Sequence, residues 1–239
     1  MSTYVYGITQ GTVPDLRDKI LGIGDPPKPV RTLTEGELSA IVSDCPEQLR
    51  PKRRDLIAHQ HVLAEVGGDR AVLPMRFGSV SPSDEDVRGV LAEQADRYQA
   101  QLRRLAHRVE YNVKAVHDED AVLHQVLAEE PELRAMAEAN RAAGGGTYED
   151  RLRFGELMAG AVRSREVRDA KLVEKALAAA AEEVRPGPES GGWFVNLSFL
   201  VGKDGGGALT DAVAELERAH PRLKLRVHGP LPPYSFVES

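Results

Sequence analysis

The sequence predicts an α+β protein of two domains, each built on a ferredoxin-like sheet with helices, the second carrying a long helical insertion. Three observations lead there. Strand and helix signals in the first hundred residues run in the order strand, helix, strand, strand, helix, strand. The second half opens on a strand near residues 109–116 and closes on strand, helix, strand between 193 and 227. Between those ends, residues from about 118 to 185 read as helix. The division is placed at residues 1–107 and 108–239.

Tyr4 to Ile8 is β-branched and aromatic and is followed by turn residues from Gly7 to Gly11, as expected of a strand. Val13 to Leu21 fits a short helix, and Gly24 to Pro29 is a loop by its glycine and prolines. Val30–Leu33 and Leu38–Ser43 form a hairpin around Thr34–Glu37. Leu56, Ile57, Leu63 and Val66 recur at near-helical spacing, so Asp55–Val66 is a helix, and Gly67-Gly68 ends it. Ala71–Met75 is a further strand. A strong helix follows, with Val87, Leu91, Tyr98, Leu102 and Leu105 in one stripe and Ser81 to Ser83 as its start signal.

In the second half, Val109–Val116 alternates as a strand. Glu119–Leu127 and Glu132–Ala139 are helices separated at Pro131. Thr147 and Asp150 make a capping start for a helix running to about Val184, where Pro186 and Pro188 forbid more. Its apolar residues lie near both ends, and the charged stretch Arg163–Lys171 between them fits either a long helix packed at both ends with a solvated middle or a helical hairpin projecting outward as an arm. Trp193–Val201 is the most apolar strand, Leu209–Ala219 is a helix, and Leu223–Val227 closes the sheet.

Composition narrows the function. The 239 residues carry a net charge of −6, which argues against a nucleic-acid binder dependent on clustered Lys and Arg. The strands also lack the stacking aromatics of an RNA-recognition sheet. The basic cluster Arg50–Arg54 stands at a helix start and reads as a solvated entrance. The one cysteine, Cys45, forms no internal disulfide and fits a reducing, cytoplasmic compartment. No apolar run approaches the ~20 residues that span a bilayer, and the first residues have no signal-like pattern.

No enzyme emerges. His59 and His61 point to different faces of their helix, so they do not chelate one ion. Gly202–Gly207 lacks the Gly-Lys-Ser/Thr ending of a phosphate loop. Glu129-Glu130 and Glu182-Glu183 are simplest as solvated faces. No catalytic residue, cofactor site or metal site is assigned.

Two segments stand out as candidate partner surfaces. Arg76 interrupts the apolar run from Ala71 to Val80, beside Phe77 and Gly78. Its guanidinium either pairs with a carboxylate or meets a partner. The C-terminal Gly229–Ser239 segment holds Pro230, Pro232 and Pro233 with Tyr234 and Phe236. Prolines lower the entropy lost on ordering, and burial of one ring contributes ~2 kcal/mol. The tail is therefore a strap closing the second domain's own core or a docking edge for another chain. As a strap it would set Leu223–Val227 at a sheet edge, open to strand addition.

Four segments carry a resemblance: Tyr4-Val-Tyr-Gly-Ile8, Val72-Leu-Pro-Met-Arg-Phe-Gly-Ser-Val80, Glu110-Tyr-Asn-Val-Lys114 and Gly229-Pro-Leu-Pro-Pro-Tyr-Ser-Phe-Val237. In order and position they resemble the gas vesicle protein F/L family (GvpF/GvpL) across nearly the whole chain. Leu231 stands where many relatives have Trp, and Asn112 where Gly is frequent. The resemblance implies a non-enzymatic accessory or structural protein of the gas vesicle. It would bind the small, hydrophobic major shell protein GvpA and other gas vesicle proteins, and assist nucleation or assembly. It brings Arg76, Phe77, Pro233, Tyr234 and Phe236 forward as partner-binding residues, and Glu110, which shares the resembling motifs with Arg76, as the candidate carboxylate mate of Arg76. The alternative is an enzyme or small-ligand binder on a ferredoxin-like scaffold.

Overall fold

The computed structural model describes residues 2–13, 16, 20–68, 70–188 and 191–238. The chain divides into two compact units, Met1–Glu110 with Pro230–Ser239, and Tyr111–Gly229. The tail was expected on the second domain. It belongs to the first unit, for reasons given below.

The first unit is built on β1 (Thr3–Gln10), β2 (Arg31–Glu35), β3 (Leu38–Asp44), α1 (Arg53–Gly67), β4 (Val72–Pro74), β5 (Val80–Ser81), α2 (Asp84–Glu93) and α3 (Ala95–Leu105). Its sheet has the order β2-β3-β1-β4, with β5 also on β1, which is the ferredoxin-like arrangement. β2 and β3 form the expected hairpin, turning at Gly36, which has φ +56°. The helix expected at Val13–Leu21 falls largely outside the described residues, although Val13, Leu16 and Ile20 are buried in the core.

One long helix was expected through Val87–Leu105. The structure breaks it at Gln94, whose φ of −105° lies outside the helical range. The break is a change of substrate. α2 packs on β2 and β3, whereas α3 packs on β1 and β4, so a straight rod would lose one set of contacts. Ser83 caps α2 by accepting from the Asp86 amide.

The second unit is built on β6 (Arg108–His117, from Tyr111 onward), α4 (Glu119–Glu129), α5 (Pro131–Ala142), α6 (Tyr148–Ala178), β7 (Glu183–Pro186), β8 (Val195–Gly202), α7 (Gly206–Ala219) and β9 (Leu223–Leu231, as far as Gly229). Its sheet order, β7-β8-β6-β9, repeats that of the first unit. The helical insertion α4–α6 joins β6 to β7. Val122, Val126, Leu133 and Met158 give it a small core of its own. Pro131 sits at the first position of α5, where its missing N–H costs nothing. The α6 capping box is present, with Thr147 and Asp150 bonding each other's backbone N–H.

α6 ends at Ala178 rather than near Val184. Residues 183–186 instead add an edge strand to β8, with Val184 opposite Phe199. An edge strand tolerates Pro186, which a helix interior does not. The charged middle of α6 is not solvated throughout. Asp169 is 2% exposed and sits in an ion cluster. Arg222 donates to it in bidentate fashion at 2.7 and 2.8 Å, His117 Nε2 donates at 2.9 Å, and Arg165 Nε at 3.3 Å. Burial pushes the Asp169 carboxyl up. The bonds from Arg222 and His117 and the charges of Arg222 and Arg165 outweigh it and hold the pKa down at about 2.

Candidate functional site: an arch, a buried histidine and an apolar cleft

β4 and β5 are one extended passage along β1, interrupted by an arch at residues 75–79. The Met75 amide donates to the Tyr6 carbonyl, and the Val5 amide to the Ser79 carbonyl, so both feet of the arch are tied to β1. Its turn is closed by the Ser79 amide and hydroxyl, both donating to the Arg76 carbonyl. Gly78 has φ +95°, which a side chain rarely adopts. Opposite the arch, β1 carries a bulge between Val5 and Gly7. The extra residue lets Tyr4, Tyr6 and Gly7 face α1 while Val5 and Ile8 face a cleft on the α2 side. Gly7 has no room for a side chain, because an added Cβ would lie 2.8 Å from Leu63 Cδ2 and the Leu73 carbonyl oxygen.

His59 of α1 is 2% exposed and organises this region. The Gly78 amide donates to the Tyr4 hydroxyl at 3.3 Å, leaving that hydroxyl free to donate to His59 Nδ1 at 2.9 Å. Nδ1 must then accept, so the proton sits on Nε2, which donates to the Met75 carbonyl at 3.0 Å. The ring is thus a neutral brace between β1 and the arch. Burial drives the His59 pKa below its ordinary value, and burial raises that of Tyr4. A second neutral link repeats the device: the Ile23 amide donates to the Tyr6 hydroxyl, which pairs with Ser43 Oγ at 3.0 Å. Phe77 meets Tyr4 and His59 edge-on, each at 5.9 Å between ring centres.

The tail closes over the same place. Tyr234 stacks on His59 at 6.4 Å, and burial raises its pKa with the Glu110 charge adding to the effect. Glu110, 4% exposed, accepts from the Ser235 amide at 2.8 Å and from the Ser235 hydroxyl at 2.7 Å. Phe236 is fully buried, and its carbonyl accepts from Arg104. The Glu238 carbonyl accepts from Arg97, and its amide donates to Gln101. These polar groups of α3 and β6 are why the tail lies on the first unit. The strap reading is right in kind, since Pro233 and Phe236 are buried, but the domain it closes is the first.

Arg76 is not held by a carboxylate among the described residues. It is exposed on the arch, and Glu110, its expected mate, is engaged by Ser235. Of the five candidate residues, the structure brings Phe77, Tyr234, Pro233 and Phe236 to one region as packed or buried groups and leaves Arg76 facing solvent.

Beside the arch opens an apolar cleft of about 320 Å³, floored by Val5, Ile8 and Ala40 of the sheet and walled by Met75, Val87 and Leu91. Val80 and Val90 also line it and stand 45% and 46% exposed. Sequence reasoning missed this cleft. Val80 ends a segment already singled out, but its outward direction depends on the two-residue strand β5, too short to leave a pattern.

The architecture is that of an α+β protein whose most ordered polar chemistry is structural. Among the described residues no three His, Cys, Asp or Glu side chains group as metal ligands, and no helix is long and apolar enough to cross a membrane. Two crystal structures share the fold at 24% identity: GvpF from Anabaena sp. PCC7120, with a TM-score of 0.77 over 100% of this chain and 98% of that one, and GvpF from Microcystis aeruginosa, with a TM-score of 0.74 over 98% of each. The family model for gas vesicle synthesis protein GvpL/GvpF matches residues 2–238. Gas vesicle protein F of Streptomyces sp. strain CB03234 is 60% identical over the full length of both chains. Gas vesicle protein L of the same strain is 27% identical, covering 98% of this chain and 92% of that one. Gas vesicle protein F2 of Halobacterium salinarum is 28% identical, covering 87% of this chain and 79% of that one. The chain belongs to the GvpL/GvpF family of gas vesicle proteins.

Proposed function

We propose that this protein is a non-enzymatic, F-type accessory protein that binds the hydrophobic major shell protein, GvpA, through its first unit. It acts in the cytoplasm and at the gas vesicle, holding shell subunits dispersed during nucleation and assembly. The observation that carries this reading is the open apolar cleft rimmed by exposed Val80 and Val90 beside the exposed Arg76. An apolar partner strand or helix has side chains to place in that cleft, and the exposed Arg76 on the arch whose Met75 and Ser79 line the cleft offers a cation. A net charge of −6 keeps the loaded complex soluble. The expected alternative surface, the edge at Leu223–Val227, is less suited. The Leu225 amide is already taken by Glu217, and Lys224 and Arg226 are exposed there.

The test is co-expression with GvpA followed by affinity capture. The wild-type protein is expected to retain GvpA in the soluble fraction. Val80→Asp with Val90→Asp should cut recovery about tenfold, the effect of roughly 1.4 kcal/mol of lost binding. Arg76→Met, at an exposed position, should melt normally and weaken capture less. Undiminished capture by the double variant would exclude the cleft.

A further inference from the structure

The second unit presents a different surface. Tyr111 and His117 of β6 face the helices, against α7 and α6 respectively. The alternate residues of β6 face the other way, and there Asn112 donates to Asn196 Oδ1 at 2.8 Å. Lys114, two residues on, lies over the ring of Trp193 at 5.9 Å, and Arg226 of β9 lies over the same ring at 5.2 Å. Two cations from different strands therefore share one aromatic, and neither has a carboxylate partner among the described residues. β9 is the terminal strand of its sheet; its exposed residues are Lys224, Arg226, His228, Gly229 and Pro230, and the first three stand two positions apart along one face. Lys224 is engaged by Asp118 at 2.6 Å, which leaves Arg226 and Lys114 as the unneutralised pair. Like charges held together on an acidic protein repel unless an anion joins them.

We propose that this face binds an extended acidic segment of a partner protein. An extended chain offers carboxylates every second residue, at ~7 Å, which is the period of the basic residues along β9. Asn112 and Asn196 are engaged with each other and with the Leu197 and Pro188 carbonyls, so the cations carry the recognition. With the Leu225 amide capped by Glu217, recognition falls to side chains rather than to strand addition. A nucleic-acid strand fits less well. It would use Trp193 as a stacking platform, and both cations already cover that ring. The proposal is independent of the cleft in the first unit.

Trp193 is the only tryptophan of the chain, so its fluorescence reads the site without a label. The full-length protein is titrated with a synthetic peptide of alternating glutamate and serine, with the glutamine–serine peptide as control and a single-stranded oligodeoxynucleotide as competitor class. The glutamate peptide should give a saturable change, abolished in high salt, and the glutamine peptide none. Lys114→Gln with Arg226→Gln should weaken binding about tenfold or more while circular dichroism and melting stay unchanged. If the double variant melts early, the two single variants are read instead, each losing several-fold. No response to the glutamate peptide, or a response insensitive to these substitutions, overturns the proposal. Oligonucleotide binding with the same residue dependence, stronger than that of the peptide, overturns it in favour of a nucleic-acid face.

Discussion

The two units share a strand order yet each anchors one element by a different means. In the first, every group in the chain from Gly78 through Tyr4 and His59 to Met75 is neutral. In the second, a carboxylate on α6 is met by two guanidinium groups and an imidazole. A neutral network costs less to desolvate and loses less when one member is removed. An ionic cluster is strong only while complete, since removing one partner leaves a charge buried. The sheet topology therefore does not dictate the chemistry of its core. What differs is the element to be anchored. The first unit braces a short arch, and the second fixes the middle of a 31-residue helix to the sheet end.

The largest test of that contrast is Asp169→Ala. It strands Arg222 and is expected to cost about 3–5 kcal/mol in chemical denaturation. Amide exchange should accelerate in residues 111–229 and not in the first unit. A loss under ~1 kcal/mol would mean that the cluster contributes little. Next is Phe236→Ala, which empties a fully buried site and should cost about 3 kcal/mol. Its accelerated amides should lie in β1, α1 and α3. If they lie in β9 and α7 instead, the tail belongs to the second unit after all.

A smaller effect separates the units by pH. His59 has a folded pKa below its unfolded value of ~6.5, so the unfolded chain binds the proton first. Its contribution is complete above pH ~6.5 and falls as pH drops through 6.5 toward the folded value. Asp169 has a folded pKa of about 2. Its contribution is complete above the unfolded value of ~3.9 and is lost as pH falls toward 2. Between pH 7.5 and 5 (~2.5 units), amide protection should therefore weaken in the first unit while the second holds. Equal weakening of both units over that range would break the comparison.

Much of this architecture is legible in local sequence. Thr147 with Asp150, Pro131 and the Thr34–Glu37 hairpin each act within a few residues, and each appears where the residues place it. What escapes depends on distant partners. Val184 reads as helix until Phe199 pairs with it across the sheet. Asp169 sits in a run of charges and reads as solvated, because Arg222 lies 53 positions away. Arg76 looks buried within an apolar run, but the arch turns it outward. The tail's composition shows that it orders, and only Glu110, Gln101 and Arg104 show where. In the candidate site the aromatic residues were singled out from sequence. The cleft beside them was not, since it is made by β1, β3, β5 and α2, which meet only in the fold.

The return of the tail to the first unit sets an order of events during synthesis. Tyr4, His59 and Phe77 leave the ribosome well before Tyr234 and Phe236, which close over them. The whole of the second unit must be translated in between, a wait on the order of ten seconds at ~5–20 residues per second. The second unit, encoded later, therefore has all of its parts before the first is complete. A chain stopped just after Gly229 would release an intact second unit attached to an unclosed first one.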